Sequence, residues 1–238
     1  MAGYTVSKLA DGNCWMTRDL AISLYTGSVS SPTPTPIEVV TNSTGEAKST
    51  KWTPTSGSYD SAYALNRNTV CSGNGDAKIC WYSWYAATAG SGTSSQTNTD
   101  ASDSICPAGW RLPSNYTTST TKSYGALTNA YFNITDYTST RYYTQLEANP
   151  MLFTRAGYYS GGSPIAGSSS GQYLSSTAYS NSAFAYCFGY DTSSYTSPQG
   201  SSGKYLGLSV RCVSLELLLL LGSPMPHPPT LSLRRISL

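Results

Sequence analysis

Six cysteines, at positions 14, 71, 80, 106, 187 and 212, have the widest choice of chemistry in this sequence. Residues 104–114, SICPAGWRLPS, crowd Cys106 among Pro107, Gly109, Trp110 and Pro113. A cysteine so placed can be a catalytic thiolate, a metal ligand or a disulfide anchor. A nucleophile needs a base beside it. The single histidine, His227, lies outside residues 1–213, so Ser-His-Asp and Cys-His arrangements are unavailable there. The pattern also argues against zinc, because no C-x-x-C pair occurs. Two readings stay open at this point: disulfides formed in an oxidising compartment, or buried free thiols.

Carboxylates are the other source of chemistry, and Asp and Glu together number only 12. A glycosidase sets two of them across a cleft. Asp136 and Asp191 are the pair that could meet, and no spacing argues for it. Calcium wants several carboxylate oxygens, and the acid-poor SGNGDAK at 72–78 fits a plain turn better. No catalytic residue, metal or cofactor is expected.

Composition narrows the class. Charged residues make up 11% of 238, while tyrosine numbers 20 against 4 phenylalanines. Such a tyrosine-rich, weakly charged chain fits a β-rich extracellular domain. The net charge of +2 comes without a basic run, so no nucleic-acid partner is expected. Leu217 to Leu221 are too few for a membrane span. The opening MAGYTVSKLADG has no apolar secretion core, so a signal is expected to be missing or the chain to be a fragment.

The elements follow from pattern. Asp11-Gly12-Asn13 separates two strand-like runs and predicts a hairpin whose second strand is Cys14-Trp15-Met16. Residues 28–61 read as an extended polar insertion. CWYSWYAATAG (80–90) starts as a strand and ends as a short helix or turn with a glycine stop. Ser114 is a candidate cap for a helix within YTTSTTKSYGALTNAYF. MLFTRAGYY, GQYLSSTAY, SAFAYCFGY and YLGLSVRCV read as successive antiparallel strands. The Leu/Pro-rich segment 214–238 differs from everything before it and is expected to pack poorly on a domain spanning 1–213.

Five fragments, in chain order, carry a resemblance: DGNCWMTRDL, WYSWYAATAG, ICPAGWRLPS, GQYLSSTAY and LGLSVRCV. Together they resemble the Fibrobacter succinogenes major paralogous domain (FISUMP) of surface and secreted bacterial proteins, a family with an α+β, C-type-lectin-like fold. That implies short antiparallel strands, one or two helices, long loops and disulfides. The chain departs from the family at Asp19 (usually Asn), Leu174 (usually aromatic) and Leu208 (usually Phe), which read as core-type exchanges. The resemblance implies a Cys106–Cys212 bond, with Trp110 packed beside it and Arg111 and Arg211 bonding backbone or carboxylate groups. Within that framework Cys71 pairs with Cys80 and Cys14 with Cys187, although six cysteines alone allow 15 pairings. The Glu-Pro-Asn and Gln-Pro-Asp calcium-sugar motifs of lectins with this fold do not occur; SPQG at 197–200 lacks the acid.

The expected function is therefore a secreted or cell-surface binding or adhesion module without catalysis. Its expected ligand is a glycan or a protein on a cell surface. The expected binding face is the tyrosine set Tyr158, Tyr159, Tyr173, Tyr179, Tyr186, Tyr190, Tyr195 and Tyr205, interleaved with Ser, Gly and Asn as in paratopes. The competing reading is that these tyrosines simply cover the sheet. Two alternative functions are a receptor diversified by retroelements across 172–205 and a polysaccharide hydrolase using Asp136 and Asp191.

Overall fold

A computed structural model describes residues 5–21, 69–72, 79–89, 91–107, 109–115, 123–134, 138–140, 142–160, 163–193 and 195–214. The polar insertion at 28–61, residues 215–238 and Asp136 lie outside them. The order is β1 (Val6–Lys8), β2 (Cys14–Met16), β3 (Thr69–Ser72), β4 (Ile79–Tyr82), α1 (Trp84–Ala87), α2 (Tyr124–Phe132) and α3 (Tyr143–Glu147). Then follow β5 (Tyr158–Ser160), β6 (Ser163–Ile165), β7 (Ser170–Ala178), β8 (Phe184–Asp191), β9 (Thr196–Gly203) and β10 (Val213–Ser214). The strands form small antiparallel sheets: β1-β2-β10, β3-β4, β5-β6 and β7-β8-β9. The class is α+β, with three short helices among the described residues where one or two were expected.

Local chemistry accounts for most boundaries. In the β1–β2 hairpin Gly12 takes φ +82°, a conformation costly for side chains bearing Cβ. The Asp11 carboxylate accepts from Asn13 Nδ2 (2.8 Å) and Trp15 Nε1 (2.9 Å), tying the turn to the second strand. Ser83 ends β4 and caps α1, its Oγ accepting from Ala86 N at 3.2 Å. The cap of α2 is Ser123, not Ser114: Ser123 Oγ accepts from Ala126 N at 3.0 Å. Ser114 instead bridges to Ser123 through the backbone and is buried. The composition of β9, TSPQGSSG, carries almost no strand signal. It forms as an edge strand on β8, and its proline coincides with a register shift between Cys187 and Gly189, where a missing N–H is tolerated.

Period two then divides the core. On β7, Tyr173 and Leu174 point to opposite sides. Leu174, with Ala178, Ala185 and Cys187, joins Trp84, Tyr82, Met16 and Leu20 in one cluster. Tyr173, with Phe188 and Tyr190, joins Trp15, Tyr124, Leu127 and Phe153 in another. Residues 207–213, all buried, run between the clusters. Leu208, Val210 and Cys212 enter the first cluster, and Val213 enters the second.

The same segment bonds a new partner at almost every step. Gly207 exchanges backbone bonds with Tyr159, and Leu208 with Tyr82. Ser209 N donates to Gln172 O, and Leu174 N to Ser209 O. Leu20 N donates to Val210 O, Met16 N to Cys212 O, and Val213 exchanges bonds with Arg111. YLGLSVRCV is thus extended but yields only the tail of a regular strand, because no single partner runs beside it long enough.

Arg211, fully buried, is held within this segment. Its guanidinium pairs with the Asp19 carboxylate and donates to the carbonyls of Met151 (2.6 Å) and Leu152 (2.9 Å). It lies 4.3 Å from the Phe153 ring centroid and 5.6 Å from that of Tyr173. Asp19 also accepts from Thr154 Oγ1 at 2.5 Å. Asp19 is therefore the counter-ion of the core and not a neutral packing exchange.

Two disulfides form. Cys71–Cys80 joins directly opposed residues of β3 and β4. Cys106–Cys212, 106 residues apart, ties the CPAGW corner to the buried segment. Closing a loop of that length restricts the unfolded chain by ~4.7 kcal/mol on the chain-entropy estimate. The third expected bridge is corrected: Cys14 and Cys187 are free. Cys14 sits on β2 opposite Lys8 and Ser214, whereas Cys187 sits on β8 between Leu174 and Gly200. These strands belong to different sheets.

Removing one partner of a buried ion pair strands the other, at a cost of about 3–5 kcal/mol. Urea denaturation of oxidised Asp19→Ala is expected to show a loss of that size. The double variant Asp19→Leu/Arg211→Met should recover most of it. A single variant as stable as wild type would contradict the role assigned to the pair.

Candidate functional site

The CPAGW corner is built as scaffold. Trp110 N donates to Pro107 O (2.8 Å), and Gly109 takes φ +82°. Cys106 is consumed by its disulfide, so its sulfur is neither nucleophile nor ligand. Trp110 is half-buried against the first cluster. Arg111 Nε donates to Leu112 O (3.0 Å), and its guanidinium lies 3.8 Å from Asp100. Thr177 Oγ1 donates to the other Asp100 oxygen and accepts from Asn115 N at 2.8 Å. A recess of about 280 Å³ remains beside Trp110 and Arg111.

The expected tyrosine face divides in two, and three members are corrected to core. Tyr159, Tyr173 and Tyr190 are buried. Tyr159 packs on Trp81, ring centroids 5.9 Å apart. The Tyr173 hydroxyl accepts from Thr154 N (2.7 Å) and has the Asp19 carboxylate (3.0 Å) and Thr154 O (2.9 Å) as acceptors. The Tyr190 ring fills the space over Gly171, where a Cβ would lie 2.3 Å from it. Burial pushes the ionisation of Tyr173 and Tyr190 well above the ordinary phenol range. Tyrosine's apolar ring and single polar atom let it serve inside or outside. Here position along the strand decides: Tyr186 and Tyr190 share one face of β8, and only Tyr190 lies in the second cluster.

The half-exposed members are Tyr158, Tyr179, Tyr186, Tyr195 and Tyr205. Register shows which of them meet. Phe184, 37% exposed, stands opposite Gly203, and the Tyr205 ring occupies the place of the missing Gly203 side chain, 2.6 Å from an ideal Cβ. Tyr186 lies two residues along β8, on the same face as Phe184. Tyr179 meets Tyr186 edge to face, ring centroids 4.9 Å apart. Tyr179, Phe184, Tyr186 and Tyr205 thus form one aromatic patch, rimmed by exposed Ser180, Asn181, Ser182 and Ser201. Tyr195 is excluded, since its ring covers Gly189, whose side-chain direction is the opposite face of β8. Tyr158 lies apart on β5, against the first cluster.

Lys204 supports the patch, and sequence reading passed over it. Its ammonium is buried, donates to the carbonyls of Thr93 (2.9 Å) and Gln96 (2.8 Å), and sits 4.6 Å over the Trp84 ring. It ties the 93–96 loop to the end of β9, and its own N–H donates to Ala183 O at the β7–β8 turn (2.9 Å).

The other sources of chemistry are engaged or inert. Asp191 Oδ1 accepts from Ser193 N (2.9 Å) and Tyr195 N (3.1 Å), bracing a turn. Burial pushes the Cys187 thiol up to about 12. Among the described residues no group of three or more His, Cys, Asp or Glu could hold a metal ion. Among them, no helix is long and apolar enough to cross a membrane.

No protein-family model, curated protein or solved structure matches the chain.

Burial draws the Lys204 ammonium down from 10.5 to about 8. Between these values the unfolded chain binds a proton that the folded one has released, so stability rises with pH there. Wild type should gain on Lys204→Met as pH rises from 8 to 10, in thermal melts of both proteins run in parallel. A difference that stays flat with pH would refute this. Tyrosine ionisation is common to the two and cancels.

Proposed function

We propose that the chain is an extracellular binding module with a C-type-lectin-like, FISUMP-type fold, which takes a protein or glycan on a cell surface and performs no catalysis. The observation that carries this reading is the aromatic patch of Tyr179, Phe184, Tyr186 and Tyr205. Large amphipathic rings are placed side by side among serine and asparagine on a sheet end, a palette that gives contact area at low entropic cost. Two disulfides support placing such a surface outside the cell, where the bonds persist. A partly exposed aromatic cluster on a rigid sheet suits recognition better than turnover, since no activated nucleophile or free carboxylate pair adjoins it among the described residues.

The diversified-receptor reading meets a physical restriction. Variation across 172–205 would have to spare Tyr173 and Tyr190, whose rings are core. The hydrolase reading draws nothing from Asp191, which braces a turn.

The test is an array of cell-surface proteins and glycans probed with the oxidised full chain. A specific partner is expected, and Tyr179→Ala with Tyr186→Ala should weaken it by more than about 10-fold, the range of an interface anchor, with little change in melting temperature. Unaltered binding by that variant, or no partner at all from a folded protein, would remove the proposal.

A further inference from the structure

A second concavity lies away from the aromatic patch. It occupies about 770 Å³ between the end of α2, α3 and the 148–151 loop. Tyr142, at its edge, donates its backbone N–H to Thr196 Oγ1 at the first residue of β9 (3.4 Å). The aromatic patch lies at the last residue of the same strand, Gly203, so the two features stand at opposite ends of β9.

The lining has a specific character. Phe132 and Tyr142 stack with ring centroids 4.4 Å apart and 19° between planes, and both are half-buried. Tyr131 stands beside them, 5.9 Å from Phe132, its hydroxyl accepting from Ala10 N. Around these rings Asn129, Gln145 and Asn149 are exposed. Thr144 Oγ1 donates to Gln145 Oε1 at 2.7 Å, which orients that amide. Among the described residues no charged one contributes to the lining.

We infer that this hollow is a binding site for neutral saccharide. It is separate from the tyrosine patch and deepens the binding-module reading, on which it rests, by naming a ligand class. A sugar ring presents an apolar C–H face and an equatorial rim of hydroxyls. Aromatic faces accept the first. Amides answer the second, because each carries both an acceptor oxygen and a two-proton donor and so satisfies hydroxyls in either role. An acidic glycan would look for arginine or lysine, and none occurs among the described residues of the lining. A purely apolar peptide or lipid would leave the amides desolvated without partners, which costs binding energy. The hollow is wide enough for more than one sugar ring, so an oligomer should bind better than its monosaccharide.

Calorimetric titration of the oxidised full chain tests this. The probes are neutral oligosaccharides (β-1,4-linked glucose, mannose and N-acetylglucosamine oligomers), with oligogalacturonate and a Leu/Phe-rich peptide as counter-probes. One neutral series is expected to bind, tighter with length. Asn129→Ala and Gln145→Ala, both at exposed helix positions, should each weaken it about 3- to 10-fold, the loss of one hydrogen bond, without lowering the melting temperature. Tyr179→Ala should leave it unchanged. No binding by any neutral oligomer, binding indifferent to Asn129 and Gln145, or preference for the acidic sugar or the peptide would overturn the assignment. If a partner is lost on Tyr179→Ala/Tyr186→Ala but not on the hollow variants, the binding-module reading stands and the saccharide site falls. If no array partner depends on the patch while a neutral oligomer still binds through Asn129 and Gln145, the patch assignment falls and the saccharide site stands.

Discussion

The described structure depends on burying one charged strand segment, residues 207–213, through the middle of the protein. A chain running through a core must satisfy every backbone donor and acceptor it takes out of water. Here the partners come from five separate regions, around Tyr159, Tyr82, Gln172, Met16 and Arg111. The segment also carries Arg211, whose charge would be untenable there alone. The Asp19 carboxylate, two backbone carbonyls and two aromatic faces make it tenable. The Cys106–Cys212 bond then fixes the segment covalently to the CPAGW corner. Each device enforces the same arrangement, which suits a domain of short strands and little helix.

Both candidate binding surfaces follow from that anchoring. With β7 held to residue 209 and β8 held to β7, the β7–β8–β9 sheet is rigid at its centre. Its two ends are free to differ. One end presents rings seated on glycine and braced by Lys204. The other carries α2 and α3 and leaves a neutral hollow between them. Aromatic residues divide among core, patch and hollow, which explains how a chain so rich in tyrosine packs a defined interior without many aliphatic side chains.

Much of the local structure was legible in the sequence. The Asp-Gly hairpin, a strand followed by a short helix within 80–90, β7, β8 and the Cys106–Cys212 bond all sit where pattern or resemblance put them, although the helix starts earlier, at Trp84, than its Ala-rich end suggested. What escaped was decided at long range. Asp19 reads as a packing exchange until its partner, 192 residues away, is known. Tyr173 lies on β7 and Tyr179 just past its end, with the same parity and similar surroundings of serine and threonine, and only the nearness of Asp19 and the second cluster makes the first core. β9 could not be found by propensity, since it exists because β8 offers an unpaired edge. The neutral hollow left one faint trace, Asn129 and Asn133 four positions apart beside Phe132, which nothing local distinguishes from ordinary helix surface. Cys14 and Cys187 show the limit of counting: an even number of cysteines does not require that all be paired.

Amide hydrogen exchange is the most direct test of the account. Gly207, Leu208, Ser209 and Val213 each donate to a different element, so none can exchange unless the whole arrangement opens. Their exchange free energies should match the global unfolding free energy measured in denaturant. Exchange of these four amides through local opening, well below that value and while β7 and β8 stay protected, would show that residues 207–213 are peripheral and would contradict the account.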